Sequence, residues 1–322
     1  MLWQQHPTGE GVRWLLPETL ASGAGKRRRV IKCAPRAVDS AAVALHEHPH
    51  KSTEYLGLSD LPPRTAPVDL GYDHFTVEGH LEQSSHLMEV LKISTACWMA
   101  DEAITRRKVA SASIHSVPTV IGSAPFAGAI GQEHLTAYFD LSADMGATRV
   151  ECGEGLTGSH LDPAQIVRMA RGHGLVVQFE LEKVNGRPFT GEMVGELIDQ
   201  GRRWMDAGAV QLVVEAPDAA RGVGLFDESG HLNRSFADRL AQAFGLESVV
   251  FEAPGKESQL MMLDHFGRDV HLCGVRLEDL LRVEIYRRGL HGKAFGQTRS
   301  RRSPLRNRAG RRTMLEPKKW HG

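Results

Sequence analysis

Eight short apolar runs, each followed by a longer stretch of helical period, constrain this chain more than any other feature of its sequence. The runs are APVDLGY, LMEVLKIS, VPTVIGS, TRVECG, LVVQFELE, AVQLVVEA, SVVFEA and DVHLCGV, and the pattern sets in near Pro62. They are too short and too rich in β-branched residues to be helices, and read as buried strands. The segments between them carry helix punctuation. In LDPAQIVRMARGHG, Asp162 stands as an N-cap, Pro163 takes the first helical position, Ile166, Val167 and Ala170 share one face, and Gly172 and Gly174 stop the helix. TGEMVGELIDQGRRWMDAGA starts at Thr190 and spaces Met193, Leu197, Ile198 and Trp204 helically, and SFADRLAQAFG does the same with Leu240 and Phe244. A strand followed by a helix, eight times over, predicts an α/β fold of the (β/α)8 TIM-barrel type.

The rest of the chain lies outside this pattern. Residues 1–60 mix charge, glycine and proline without a sustained period and read as a partly irregular N-terminal extension. The barrel is assigned to residues 61–296, and residues 297–322 to a basic, disordered tail. That tail holds nine Lys or Arg against Glu316 alone, so residues 1–296 carry 30 basic and 38 acidic side chains beneath a net charge of zero. A basic tail can hold phosphates, but with Pro304, Gly310 and little apolar content it reads as solvated, and no nucleic-acid partner is expected. No apolar run approaches the roughly 18 to 20 residues of a membrane span, and MLWQQHPTGEG does not lead into a secretory core, so no membrane partner and a cytoplasmic location are expected. Cys33, Cys97, Cys152 and Cys273 fit neither a disulfide framework nor a CxxC metal spacing and read as reduced thiols. His46, His48 and His50, alternating around Pro49, read as an exposed loop rather than a metal site.

Four of the strand candidates end in glutamate: Glu151, Glu180, Glu215 and Glu252, at steps of 29, 35 and 37 residues, one strand–helix unit each. The C-terminal ends of barrel strands converge on one mouth, so these acids are expected to share a pocket. Four like charges need opposition, from cations or a bound metal. Lys92 after the second strand, Lys183 three residues past Glu180 and Lys256 four past Glu252 are placed to provide it. Carboxylates with lysines suit Mg²⁺ and an oxygen-rich anionic substrate, and permit stabilisation of an enolate with a lysine or acid moving a proton. Two smaller features read as structural: Cys273 with His271 as a packed thiol rather than a nucleophile and base, and GEGLTGSH as a loop with modest capacity for phosphate.

The motifs VVEAPDAARGVGLFDESGHLNRS, VVFEAPGKESQ, FGRDVHLCGV and RVEIYRRGLHGKAFG stand in this order along the C-terminal half. They resemble the phosphosulfolactate synthase family, whose corresponding motifs are EARESG, GIFDENG, FEAPLKSQQ, VNLGNI and LETLRLGLRG. The resemblance is close from about Gly174 to Phe295 and weaker from Pro62 to Gly155. It implies a (β/α)8 lyase that adds sulfite to phosphoenolpyruvate with Mg²⁺, making a carbon–sulfur bond, with a small anionic substrate and sulfite as partners and room for a homo-oligomer. Carried across, the family's strand-two lysine falls on Lys92 and its SEVGKK motif on FELEK, with Glu180 and Lys183. Glu215 and Glu252 match the glutamates of EARES and FEAP. Lys256 and Gln259, with Ser258 between them, match the APLKSQQ loop, and Glu284 and Arg287 match LETLR. The resemblance thus implies Lys183, Glu180 and Lys92 as catalytic, Lys256, Gln259, Ser258 and Arg287 as substrate-binding, and Glu180, Glu215 and Glu252 as metal ligands. Lys183 would donate a proton to the enolate carbon, and Lys256 would clamp an anion.

The sequence also departs from the family. Pro217 replaces the arginine of EARES, so one bidentate pairing with an anion is absent. KLGWGT has become KISTAC, YPGGT has become VIGSAP, the glycine of NLGN is Cys273, and Gly255 and Glu257 alter the lysine loop. These changes leave room for a different, non-phosphorylated acceptor, or for a non-catalytic member like the family's plant heat-stress relatives.

Overall fold

All eight strand candidates form strands in the computed structural model, which describes residues 61–122, 134–153, 162–181, 188–216 and 221–291. They are β1 (Thr65–Asp69), β2 (Leu91–Ile93), β3 (Thr119–Ile121), β4 (Arg149–Gly153), β5 (Val176–Leu181), β6 (Gln211–Val214), β7 (Val249–Glu252) and β8 (His271–Arg276). Each pairs in parallel with the next, and β8 pairs with β1, so the sheet closes into an eight-stranded barrel with no free edge. The surrounding helices are α1 (His74–Ser84), α2 (Thr95–Ala100), α3 (Glu102–Ile114), α4 (Leu135–Asp144), α5 (Pro163–Gly172), α6 (Gly191–Ala207), α7 (Arg234–Phe244), α8 (Lys256–Phe266) and α9 (Leu280–Arg287).

Local chemistry sets the helix ends. Asp162 caps α5 by accepting from the Ala164 amide, and Thr190 caps α6 by accepting from that of Met193. Gly208 ends α6 at φ 102°, a conformation costly for a residue with a Cβ. The third helix expected from sequence starts slightly earlier than SFADRL suggests. Asn233 accepts from the Phe236 amide and so becomes its N-cap.

The period of two along each strand sorts side chains between two environments. Outward-facing residues build the main core against the helices: Phe179 of β5 stacks on Trp204 of α6 with centroids 4.2 Å apart, and Phe251 of β7 on Phe266 of α8 at 5.2 Å. Each of these rings stands next to a glutamate, Glu180 or Glu252. Locking the ring outward therefore turns the carboxylate inward. Within the barrel lies a second, smaller cluster of Ala66, Val90, Val120, Val213, Val250 and Cys273.

A polar chain crosses the N-terminal end of the barrel. Arg149 donates to Gln211 at 2.9 Å, Gln211 to Glu89 at 2.7 Å, and Glu89 pairs with His271 at 2.7 Å. Burial pushes the Glu89 carboxyl up, but the hydrogen bond and charge of His271, with the Gln211 amide and Arg149, hold it below the ordinary value. His271 thus serves this end of the barrel, not Cys273. Among the described residues, no helix is long and apolar enough to cross a membrane.

The described barrel elements, Thr65 to Arg287, lie within the span 61–296 assigned to the barrel. The N-terminal extension, the histidine cluster, the GEGLTGSH loop beyond Gly153, Lys183, Pro217 and the basic tail lie outside the described residues.

Candidate active site

The C-terminal ends of the strands enclose a cavity of about 360 Å³. Its lining includes Lys92 from β2, Thr95 and Gly122 from the next turns, Glu180 at the end of β5, Glu215 and Ala216 just past β6, Glu252 of β7, and Gly274 and Arg276 of β8. Three of the four strand-end glutamates therefore do share one mouth.

Glu151 does not line it. In the β4–β5 ladder Glu151 is level with Gln178, and Gly153 is level with Glu180, so Glu151 sits one inward-facing layer lower. It is fully buried there, accepting from the Gln178 amide at 2.7 Å and pairing with Lys92 Nζ at 2.7 Å. Lys92 also lies 3.9 Å from Glu180. Burial alone would depress the lysine, but the charges of Glu151, Glu180 and Glu252 outweigh it and hold Lys92 well above its ordinary value. Lys92 is consequently a fixed cation in the cavity floor, not a group that exchanges protons near neutrality.

Glu252 is oriented by backbone. Its Oε2 accepts from the Ala216 amide at 3.0 Å. On the other side stands Gly274, with φ 68°, where an added Cβ would come within 2.7 Å of Glu252 Cγ. A glycine is needed at this point both for the conformation and for the close approach of the carboxylate. Among the described residues, no three His, Cys, Asp or Glu side chains are grouped closely enough to enclose a metal ion. Glu180, Glu215 and Glu252 are thus neighbours on one wall rather than a preformed three-carboxylate cage.

The residues carried over from the β7–α8 loop take other roles. Ser258 accepts from the Gly255 amide at 3.2 Å and donates to the Gly255 carbonyl at 2.8 Å, closing the first turn of α8. Gln259 donates to the Ala253 carbonyl at 3.0 Å and accepts from Arg282 at 3.0 Å. Both are buried and neither lines the cavity, and their hydrogen bonds shape this turn. Lys256 opens α8 with an exposed side chain two residues beyond Pro254, which does line the cavity.

Arg287 is a clearer correction. It is buried at the opposite end of the barrel, donating to the Val270 carbonyl at 2.6 Å, to that of Arg268 at 2.8 Å and to the Thr65 hydroxyl at 3.1 Å, and pairing with Glu284 at 2.8 Å. Thr65 starts β1, and Arg268 and Val270 lead into β8. A helix that leaves the mouth after β8 descends the outside of the barrel, and its last residue must finish near the N-terminal face. The guanidinium there ties α9 to the barrel's closing seam.

Cys273 is buried in the inner cluster, and burial first, then the charge of Glu252, pushes its thiol well up despite the nearby Lys92. A thiol so held stays protonated, in keeping with packing. Cys97, Cys152 and Cys273 are all free. Sequence reasoning overlooked two features of the mouth. Asp69 at the end of β1 is buried, pairs with Lys108 of α3 at 2.7 Å and accepts from the Gly71 and Tyr72 amides at 3.0 Å each, fixing the first loop. Arg276 was also missed, although it directly follows the last strand run.

A closed (β/α)8 barrel whose C-terminal mouth holds a lysine among carboxylates describes a class with many chemistries. Residues 64–293 match the family of (2R)-phospho-3-sulfolactate synthase (ComA), and the chain belongs to that family. It is 24% identical over 235 residues to the phosphosulfolactate synthase of Methanocaldococcus jannaschii, covering 72% of this chain and 94% of that protein. Similarity to the phosphosulfolactate synthase of Bacillus subtilis is 21% over 230 residues, 71% of this chain and 90% of that one. The enzyme of the same name from Methanothermobacter thermautotrophicus is 24% identical over 166 residues, 51% of this chain and 64% of its own. On this footing the chain is a divergent, phosphosulfolactate-synthase-like enzyme of the lyase type.

Proposed function

We propose that this chain adds sulfite to phosphoenolpyruvate, or to a related enolate-type acid, forming a carbon–sulfur bond with Mg²⁺ as cofactor. The observation that carries the reading is Lys92, a half-buried cation 2.7 Å from Glu151 and 3.9 Å from Glu180 beneath a cavity walled by Glu180, Glu215 and Glu252. In the reaction the sulfur lone pair attacks the terminal methylene carbon. The π pair of the carbon–carbon double bond moves to the adjacent carbon and its carboxylate, and a proton added at that carbon completes the sulfonate.

The negative charge that develops on the acceptor's carboxylate is where a preorganised cation is most effective. Lys92 supplies that charge, and Glu180 and Glu151 hold its ammonium in place. Proton delivery is assigned to Lys183 on the match of FELEK to the family motif. Hard carboxylate oxygens on one wall suit Mg²⁺, which Glu180, Glu215 and Glu252 would hold together with water and substrate oxygens. When bound, the metal would add positive charge beside the acceptor's carboxylate.

The test is to incubate the protein with Mg²⁺, sulfite and phosphoenolpyruvate and to follow substrate loss and sulfonate formation by mass spectrometry. Turnover lost in Lys92→Met and Lys183→Ala supports the proposal. No turnover by the wild type, or equal turnover in both variants, rejects it. Pro217, where the family has arginine, favours a second reading in which the acceptor is another unsaturated acid. A panel of such acids with sulfite separates the two.

A further inference from the structure

We infer that Arg276 binds an oxyanion of the substrate at the rim of the cavity. This rests on the preceding reading that the substrate is a multiply charged acid. Arg276 ends β8, and its backbone is held in register with Val68 of β1, which also lines the cavity. Its side chain is exposed to solvent at the mouth. Among the described residues lining the cavity, only Lys92 and Arg276 are cationic. Lys92 is already opposed by Glu151 and Glu180. Among the described residues, no hydrogen bond or ion pair engages the Arg276 guanidinium. Glu278, two residues on, accepts the hydroxyl of Tyr72, and that hydrogen bond first, with the charge of Arg276 a smaller contribution, holds its carboxyl below the ordinary value, so Arg276 has an acidic neighbour but no hydrogen bond to it.

Three carboxylates in one cavity would repel an acid carrying two or more negative charges. A cation at the rim lowers that barrier, and the planar fork of arginine matches carboxylate and phosphate oxygens two at a time. In this sequence the replacement of arginine by Pro217 thus goes together with an arginine at position 276, at the end of β8.

Titration calorimetry on the full chain tests this with phosphoenolpyruvate, pyruvate and inorganic phosphate as probes, comparing wild type, Arg276→Gln and Arg276→Lys. The expected result is that Arg276→Gln weakens phosphoenolpyruvate binding about tenfold or more, with Arg276→Lys intermediate and the unfolding midpoint unchanged. A parallel weakening for inorganic phosphate identifies the phosphoryl group as the oxyanion, and a parallel weakening for pyruvate identifies the carboxylate. Equal affinity in wild type and Arg276→Gln overturns the inference, as does a wild type that binds none of the three. A wild type that binds phosphoenolpyruvate but adds no sulfite to it sinks the proposed reaction while leaving the Arg276 comparison decisive on its own terms.

Discussion

Replacing Lys92 with methionine would remove the ammonium that pairs at 2.7 Å with buried Glu151, beside the Gln178 amide that the same carboxylate accepts. Breaking a buried pair from one side costs about 3–5 kcal/mol, and removing a preorganised charge costs about a hundredfold or more in rate. Chemical denaturation and the sulfite assay should therefore both register the change, whereas Lys92→Met with Glu151→Gln should recover stability without activity. The pH dependence follows from the direction of the shift. The folded lysine lies well above its ordinary 10.5, so its contribution is complete below that value and is lost only as pH rises through the higher folded value. A pH–rate profile should accordingly show no limb from Lys92 between neutrality and about pH 10. Gly274 offers a second test at this scale. An alanine there meets Glu252 at 2.7 Å in a left-handed conformation, so Gly274→Ala is expected to cost about 1–3 kcal/mol and to displace the carboxylate, with lowered activity in the folded protein. Sequence marked Lys92 and the glutamates as charged strand-end residues. That Lys92 pairs one layer down with Glu151 depends on register across β2, β4 and β5, which no short window of sequence contains.

Among the elements, α8 and α9 show how a motif can be read correctly and its position misjudged. Ser258, Gln259 and Arg287 stand in recognisable motifs, yet their hydrogen bonds shape the start of α8 and the foot of α9. Arg287→Met is expected to destabilise the protein by about 1–3 kcal/mol by removing the donor to the Arg268 and Val270 carbonyls, with Glu284 keeping Arg288 and the Thr65 hydroxyl, while the KM of the folded fraction stays unchanged. A raised KM at unchanged stability would return Arg287 to the substrate site. Ser258→Ala should cost about 1 kcal/mol through removal of a capping interaction, measured by thermal unfolding. The strand and helix pattern itself was legible because it is local: β-branched runs, Asp162, Thr190 and Gly208 act within a few residues. Which end of the barrel a helical residue reaches is not local. It follows from helix direction relative to the preceding strand.

Across the whole molecule, closure is made by β1 and β8, with the Arg287 guanidinium bridging their starts and Arg288 reaching the Leu61 carbonyl at 3.1 Å. A chain trimmed to residues 61–296 should thus retain a single cooperative unfolding transition and sulfite-adding activity, checked by circular dichroism and the same assay. Loss of activity with the fold intact would assign function to the terminal segments instead. The amino-acid sequence by itself determined the eight strand–helix units, the carboxylates at the strand ends and membership in this family, because periodicity, capping and motif chemistry act over short distances. Only the tertiary structure decided that Glu151 lies beneath the mouth, that Lys92 is a fixed cation, that Arg287 serves the opposite face and that Arg276 joins the cavity. Those outcomes depend on barrel closure and inter-strand stagger, which bring together residues as far apart as Val68 and Arg276.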